Sequence, residues 1–183
     1  MKRYFLAGLL LLTLPALTSG QTLAGFTPTP DTHYYDFWEG DWQKLVDEKP
    51  DSLADRFQVR RGIHEASFQE QWLMVFPENR VVRAQALRAW DQTTGRWMYT
   101  WISDNGLYQV WEGKKVGNDW YIYRHFNING DQYLSRQAWL PDGPDRLIRI
   151  SEKSYDEGKT WQLRFREQYQ RMKPAGSAGV RSR

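Results

Sequence analysis

From Phe37 to Gln170 hydrophobic and polar residues alternate in short runs separated by turn signals. The runs are rich in Val, Ile, Tyr, Trp, Phe and Thr, residues that fit a pleated, half-buried surface. Between them stand Thr94-Gly95, Asn105-Gly106, Gly117-Asn118-Asp119, Asn129-Gly130-Asp131, Pro141-Asp142-Gly143-Pro144 and Glu157-Gly158, which tolerate positive φ or preset a turn. This pattern predicts antiparallel strands over 37–46, 55–63, 66–75, 80–90, 96–103, 107–115, 119–128, 132–140, 145–153 and 160–170. No long amphipathic helical pattern interrupts them. A meander of that length escapes exposed edges best by closing, so the expectation is an all-β, single antiparallel up-and-down barrel of about 8–10 strands.

Period-two parity then sorts the side chains into two faces. In 160–170, Trp161, Leu163, Phe165 and Tyr169 alternate with Gln162, Arg164, Arg166 and Gln168, which predicts the aromatic set inward. Trp120, Ile122, Phe126 and Ile128 oppose Tyr121, Tyr123, His125 and Asn127 in the same way. Parity also brings charges onto apolar faces: Glu70 with Phe68 and Trp72, Arg88 with Ala84, Ala86 and Trp90, Arg124 with Ile122 and Phe126, and Glu152 with Ile148 and Ile150. A dry, unpaired charge is very costly, so Glu70 and Glu152 should meet Arg88 or Arg124, or hydrate in a cavity. Such charges either close the barrel as an ion-pair network or orient a polar group on a ligand. With ten tryptophans in 183 residues, a wide aromatic interior is the simplest accommodation, with Trp72, Trp90, Trp101 and Trp111 as its lining.

The first twenty residues carry Lys2 and Arg3, an apolar run from Tyr4 to Leu14, Pro15, and the small residues Thr18, Ser19 and Gly20. That is the pattern of a cleaved export signal, too short for a stable membrane anchor, and it predicts a periplasmic or extracellular protein. Cysteine is absent, so no disulfide framework is available and the fold must hold by its core. The organisation expected is a signal over 1–20, an extension over 21–34, one barrel domain over 35–171 and a disordered Gly/Ser/Pro tail over 172–183. The formal charge of +3 belongs to the termini: between Gln21 and Gln170 stand 19 basic residues against all 22 acidic ones. Nucleic-acid binding needs a basic face on the folded domain and is disfavoured.

Two aromatic motifs frame the domain: Phe37-Trp38-Glu39-Gly40-Asp41-Trp42 and Ser154-Tyr155-Asp156-Glu157-Gly158-Lys159-Thr160-Trp161. Together they resemble a family of secreted bacterial domains that open with a Phe-Asp-Phe-Trp-x-Gly-x-Trp segment and fold as lipocalin-like (calycin) barrels, with no established activity. The resemblance runs from about Tyr35 to Arg171. Gly40-x-Trp42 is also similar to the Gly-x-Trp of lipocalin first strands, where the Trp plugs the closed end and stacks on an Arg of the last strand. That likeness implies structural roles for Trp38, Gly40 and Trp42, with Arg164, Arg166 or Arg171 as partner. True lipocalins differ in carrying disulfides and fewer strands. The second motif matches the Asp-box pattern of sialidase propellers, in which Asp156 bonds its own turn, Gly158 takes positive φ and Trp161 packs beneath. One full copy in so short a chain does not make a propeller.

Catalytic signatures are sparse. The chain has no Gly-x-Ser-x-Gly elbow, no phosphate loop and no two histidines at metal-ligand spacing, so no metal or other cofactor is expected. An axial ligand for haem, if one were bound, would be His64 or His125. The reading that results is an exported barrel binding a small hydrophobic or amphipathic molecule through Trp72, Arg88, Trp90, Trp101, Trp111 and Arg124. Its alternatives are a barrel cyclase or isomerase using Glu70 or Glu152 as acid or base, and an interaction module with a solid core.

Overall fold

A computed structural model describes residues 25–173; the segment read above as an export signal and the tail from residue 174 lie outside the described residues. Two short 3-10 turns, Pro30–His33 and Asp36–Trp38, precede the strands. These are β1 (Gly40–Val46), β2 (Lys49–Pro50), β3 (Arg56–Arg61), β4 (Ser67–Phe76), β5 (Arg80–Asp91) and β6 (Arg96–Ser103). They continue as β7 (Tyr108–Val116), β8 (Asp119–Ile128), β9 (Asp131–Pro141), β10 (Arg146–Ser154) and β11 (Gln162–Arg171). From β3 onward each strand pairs antiparallel with the next, β1 pairs with β3, and β1 also pairs with β11 through Trp42↔Arg171 and Lys44↔Tyr169. The result is a closed ten-strand antiparallel barrel, a lipocalin-like up-and-down meander, with the two-residue β2 attached to the far end of β1.

Local chemistry sets the corners. Gly95, Gly106, Gly117 and Gly130 take φ between +62° and +87° in the hairpins, the left-handed region open to glycine. Gly113 serves a different need. It lies on the inner face of β7, where a Cβ would collide with the Trp97 carbonyl oxygen, so only glycine lets the indole layer approach.

The inner face is built from rows of residues in register around the wall. One row runs Trp42, Phe57, Trp72, Ala84, Ser103; a second Val59, Glu70, Ala86, Trp101; a third Phe68, Arg88, Tyr99, Trp111. Ala84 and Ala86 stand opposite Trp72 and Trp101, so small and large side chains alternate and the rings interleave. Phe57 and Trp72 stack with centroids 3.9 Å apart.

One end of the barrel is closed by the N-terminal segment. Tyr35 and Trp38 are fully buried inside it, with Tyr35 edge-on to Trp97 at 4.9 Å and Trp38 against Trp139 at 5.5 Å. Arg171 clamps this plug: its guanidinium lies 4.3 Å from the Trp42 ring and donates to the carbonyls of Glu39 and Phe37. Of the three arginines the lipocalin likeness left open as partner for Trp42, Arg171 occupies the place. The segment before residue 35 is also engaged, since Thr32 is buried and Tyr34 donates to Asp119 at 3.0 Å.

Parity fails on β10 and β11. The residues facing in on β10 are Leu147, Arg149 and Ser151, not Ile148, Ile150 and Glu152, and Leu163 on β11 is 61% exposed. On β11 an extra residue, Arg164, enters where the register shifts between Ser151 and Glu152 and turns Leu163 outward; on β10 the ladder with β9 is unbroken, and the strand points its isoleucine face out.

Candidate functional site

Glu70 and Arg88 meet at the centre of the barrel, from adjacent strands and with side chains fully buried. Glu70 Oε1 accepts from Trp38 Nε1 at 3.0 Å and from Arg88 Nε at 3.2 Å, and Oε2 accepts from Trp72 Nε1 at 2.9 Å. Arg88 in turn is boxed by four rings, Tyr35, Trp139, Tyr99 and Trp38, at 4.4, 4.5, 4.7 and 5.4 Å. Two strands and the plug therefore converge on one carboxylate. Burial pushes the Tyr35 hydroxyl up to about 12 despite the nearby Arg88 cation. Burial likewise raises Tyr99, reinforced by Glu70.

A second charged group lies toward the other end. Arg149 Nη1 is 3.2 Å from Glu167 Oε2, Lys44 Nζ is 2.7 Å from Glu167 Oε1, and Lys44 is 3.6 Å from Asp55. Tyr169 donates to Glu167 Oε2 at 3.0 Å and Arg149 Nη2 to Gln137 at 3.0 Å. Burial alone would raise the Glu167 carboxyl, but Arg149 and Lys44 outweigh it and hold the group below the ordinary carboxylate range. Sequence reading placed no charge here. Glu167 shares the inward parity of Phe165 and Tyr169, but Arg149 lies opposite the isoleucine face of β10 that looks like core, and their partnership spans two strands, so neither strand alone signals it.

At this end the inner wall still meets solvent. Met74, Phe126, Phe165, Gln109 and Gln137 are half-buried inner-face residues, next to Trp101 and Trp111. Arg124 faces Phe126 at 5.3 Å, and Lys153 stands at the rim over Tyr133. Trp72, Trp101 and Trp111 thus lie on the inner wall as parity predicts, whereas Trp90 packs on Trp97 and Trp120 at the plugged end, away from the mouth.

Glu152 departs from expectation. It pairs with Arg136 at 2.6 Å rather than with Arg88 or Arg124, and Arg136 covers Tyr121 and Trp161 at 4.9 and 4.0 Å. This cluster is on the outer wall, because Glu152 alternates with the inward Arg149 and Ser151. Beside it, Asp156 accepts from the Thr160 amide and hydroxyl at 2.9 and 2.7 Å and from Ser154 Oγ at 2.7 Å. Those bonds pull its carboxyl down to about 2. Gly158 takes φ +87° under Trp161. His125 is exposed beside Glu157, and His64 caps the Ala66 amide while packing on Phe26.

Two hollows lie outside the wall. The larger, about 680 Å³, runs across the outer faces of β3 to β6, where Gln58, Gln71 and Gln85 stand side by side next to Ile102. The smaller, about 350 Å³, continues it past Gln69 and Leu87. Among the described residues no helix is long and apolar enough to cross a membrane. Comparison with known protein families finds no matching family, and comparison with curated proteins finds no match either.

Proposed function

We propose that this is an exported barrel that binds a small, partly hydrophobic molecule at the end of its lumen opposite the N-terminal plug. The observation that carries the reading is the asymmetry of the two ends. Tyr35, Trp38 and Arg171 seal one, while at the other Met74, Phe126 and Phe165 keep apolar inner surface in contact with water beside polar and charged groups. Apolar concave surface with a few convergent polar groups is the usual make-up of a small-molecule site. The N-terminal sequence supports export, and the resemblance of the framing motifs supports kinship with secreted lipocalin-like domains.

Binding is favoured over acid–base chemistry by the state of the two candidate glutamates. Glu70 spends both oxygens on Trp38, Trp72 and Arg88 and has no exposed surface, which suits a strut. Glu152 is held by Arg136 on the outer wall. Neither presents a carboxylate to a molecule in the mouth, as a general acid or base must. Native mass spectrometry of protein purified from its own host tests the reading. A retained small molecule, released on denaturation and lost in a Phe126→Asp/Phe165→Asp variant that remains folded, is the expected result; apo protein that also fails to take up any amphiphile in titration refutes it.

A further inference from the structure

Unpartnered side-chain donors outnumber unpartnered acceptors among the described residues inside this barrel. Six buried side-chain N–H groups have no partner among the described residues: both terminal nitrogens of Arg88, the ring nitrogens of Trp120 and Trp139, and Nε of Arg124 and of Arg149. The fully buried Ser151 hydroxyl has none either. The one unpartnered acceptor in the same class is Asp41 Oδ1, which lies on the outer wall 2.7 Å from Arg60 Nη1. A buried polar group without a partner is costly, so a one-sided surplus of this kind specifies what would relieve it.

Three of these seven groups stand together on β9 and β10. Trp139 faces Arg149 across the two strands and Gln137 faces Ser151, all four on the inner wall. Gln137 spends its carbonyl oxygen on Arg149 Nη2, which leaves Trp139 Nε1, Arg149 Nε and Ser151 Oγ as neighbouring free donors. Arg88 and Arg149 both lie on the Trp139 ring, at 4.5 and 5.5 Å, so two cations share this patch of wall. The charge balance leans the same way. Glu70, Glu167 and Asp55 offset Arg88, Arg149 and Lys44, while Arg124 and the rim Lys153 form no ion pair among the described residues.

We infer that the molecule held in the lumen is an amphiphile with an oxyanion head. Its carboxylate- or phosphate-type group lies against the inner faces of β9 and β10 at Arg149 and Ser151, and its apolar part runs along Phe126 and Phe165 to the mouth. An oxyanion supplies several lone pairs and the compensating charge at once, and charge-assisted hydrogen bonds are about twice as strong as neutral ones. This inference rests on the lumen-binding reading and adds the class of ligand to it. Ordered water could satisfy the same donors, but it would leave binding indifferent to the charge of the head group.

The test is a titration of the mature protein with four probes that share one chain: decanoate, decyl phosphate, methyl decanoate and decyltrimethylammonium. Tryptophan fluorescence follows binding and native mass spectrometry gives stoichiometry. The expected result is one site at which decanoate or decyl phosphate binds at least about tenfold more tightly than the ester, with the ammonium weakest. The tighter of the two oxyanions tells a carboxylate site from a phosphate site. In Ser151→Ala, and in Arg149→Lys, which keeps the charge for Glu167, the preference for oxyanion over ester should fall several-fold. Equal binding of ester and oxyanion, or a preference for the ammonium, overturns the oxyanion assignment and leaves lumen binding standing. Failure of all four probes to bind a folded protein removes both.

Discussion

Replacing Glu70 by Gln should be among the most damaging isosteric changes in the protein. The carboxylate takes three donors, at 3.0, 2.9 and 3.2 Å, and neither it nor Arg88 is exposed to water. A glutamine oxygen retains part of this set, but its NH2 group cannot accept, so one indole or Arg88 Nε loses its partner. Arg88 also becomes a buried cation with no counter-charge, held only by its four rings. Removing one member of a fully buried pair costs about 3–5 kcal/mol. At roughly 3 °C per kcal/mol for a domain of this size, that is a drop in Tm of about 10–15 °C. Arg88→Met should cost at least as much, because Glu70 is then an isolated carboxylate among two indoles. Replacing both together, Glu70→Leu with Arg88→Met, leaves no stranded charge and should cost clearly less than the sum of the singles. Urea titrations followed by tryptophan fluorescence and far-ultraviolet circular dichroism measure all three variants. Single variants that lose under about 1 kcal/mol, or a double variant equal to the sum, would refute the view that the pair acts as one structural unit.

Other consequences follow from particular contacts. Trp42→Ala should lose about 3–5 kcal/mol, since the ring is 1% exposed, donates to the Trp38 carbonyl and carries Arg171, and a denaturant titration unchanged from the parent would contradict its place in the plug. Gly113→Ala should cost about 1–3 kcal/mol or more by driving a methyl into the Trp97 carbonyl, whereas Gly95→Ala, in a hairpin with open space around it, brings only backbone strain; comparing the two melts separates packing from φ. Because Asp156 is held at about 2 when folded, its contribution is present above the ordinary aspartate range and is lost as pH falls toward 2, so Asp156→Asn should flatten the acid limb of the Tm–pH curve. Glu167 is depressed in the same direction, and Glu167→Gln should remove a further part of that limb.

Most of the fold is readable from the chain because each hairpin carries its own signal. Strands 96–103 and 119–128 fall on β6 and β8, and the others differ by a residue or two, except that 37–46 divides into a buried turn at Asp36–Trp38 and a strand from Gly40. What escaped was information shared between strands. On β10 the two faces alternate cleanly and only the ladder with β9 shows that Glu152 lies outside and Arg149 inside, while the shift at Ser151/Glu152 acts on β11 and turns Leu163 out. Ile148 and Ile150 look like core residues, but here they cover Ala138 and its neighbours on the outer wall. The Glu70–Arg88 meeting was readable because both strands keep strict parity across an unbroken ladder, with Phe68 opposite Arg88 and Glu70 opposite Ala86.

The seam between β1 and β11 gives the chain a way of registering its own completeness. Lys44 is made early and its partner Tyr169 is made near the end, so at about 5–20 residues per second the first strand waits on the order of 10 s for its neighbour during synthesis. Until then β1 and β10 present open edges, and the Arg171 that clamps Phe37 and Glu39 has not arrived. A chain cut short before β11 would keep two unpaired edges and an unsecured plug, marking it for proteolysis or aggregation, whereas a full-length chain hides both in one closing step.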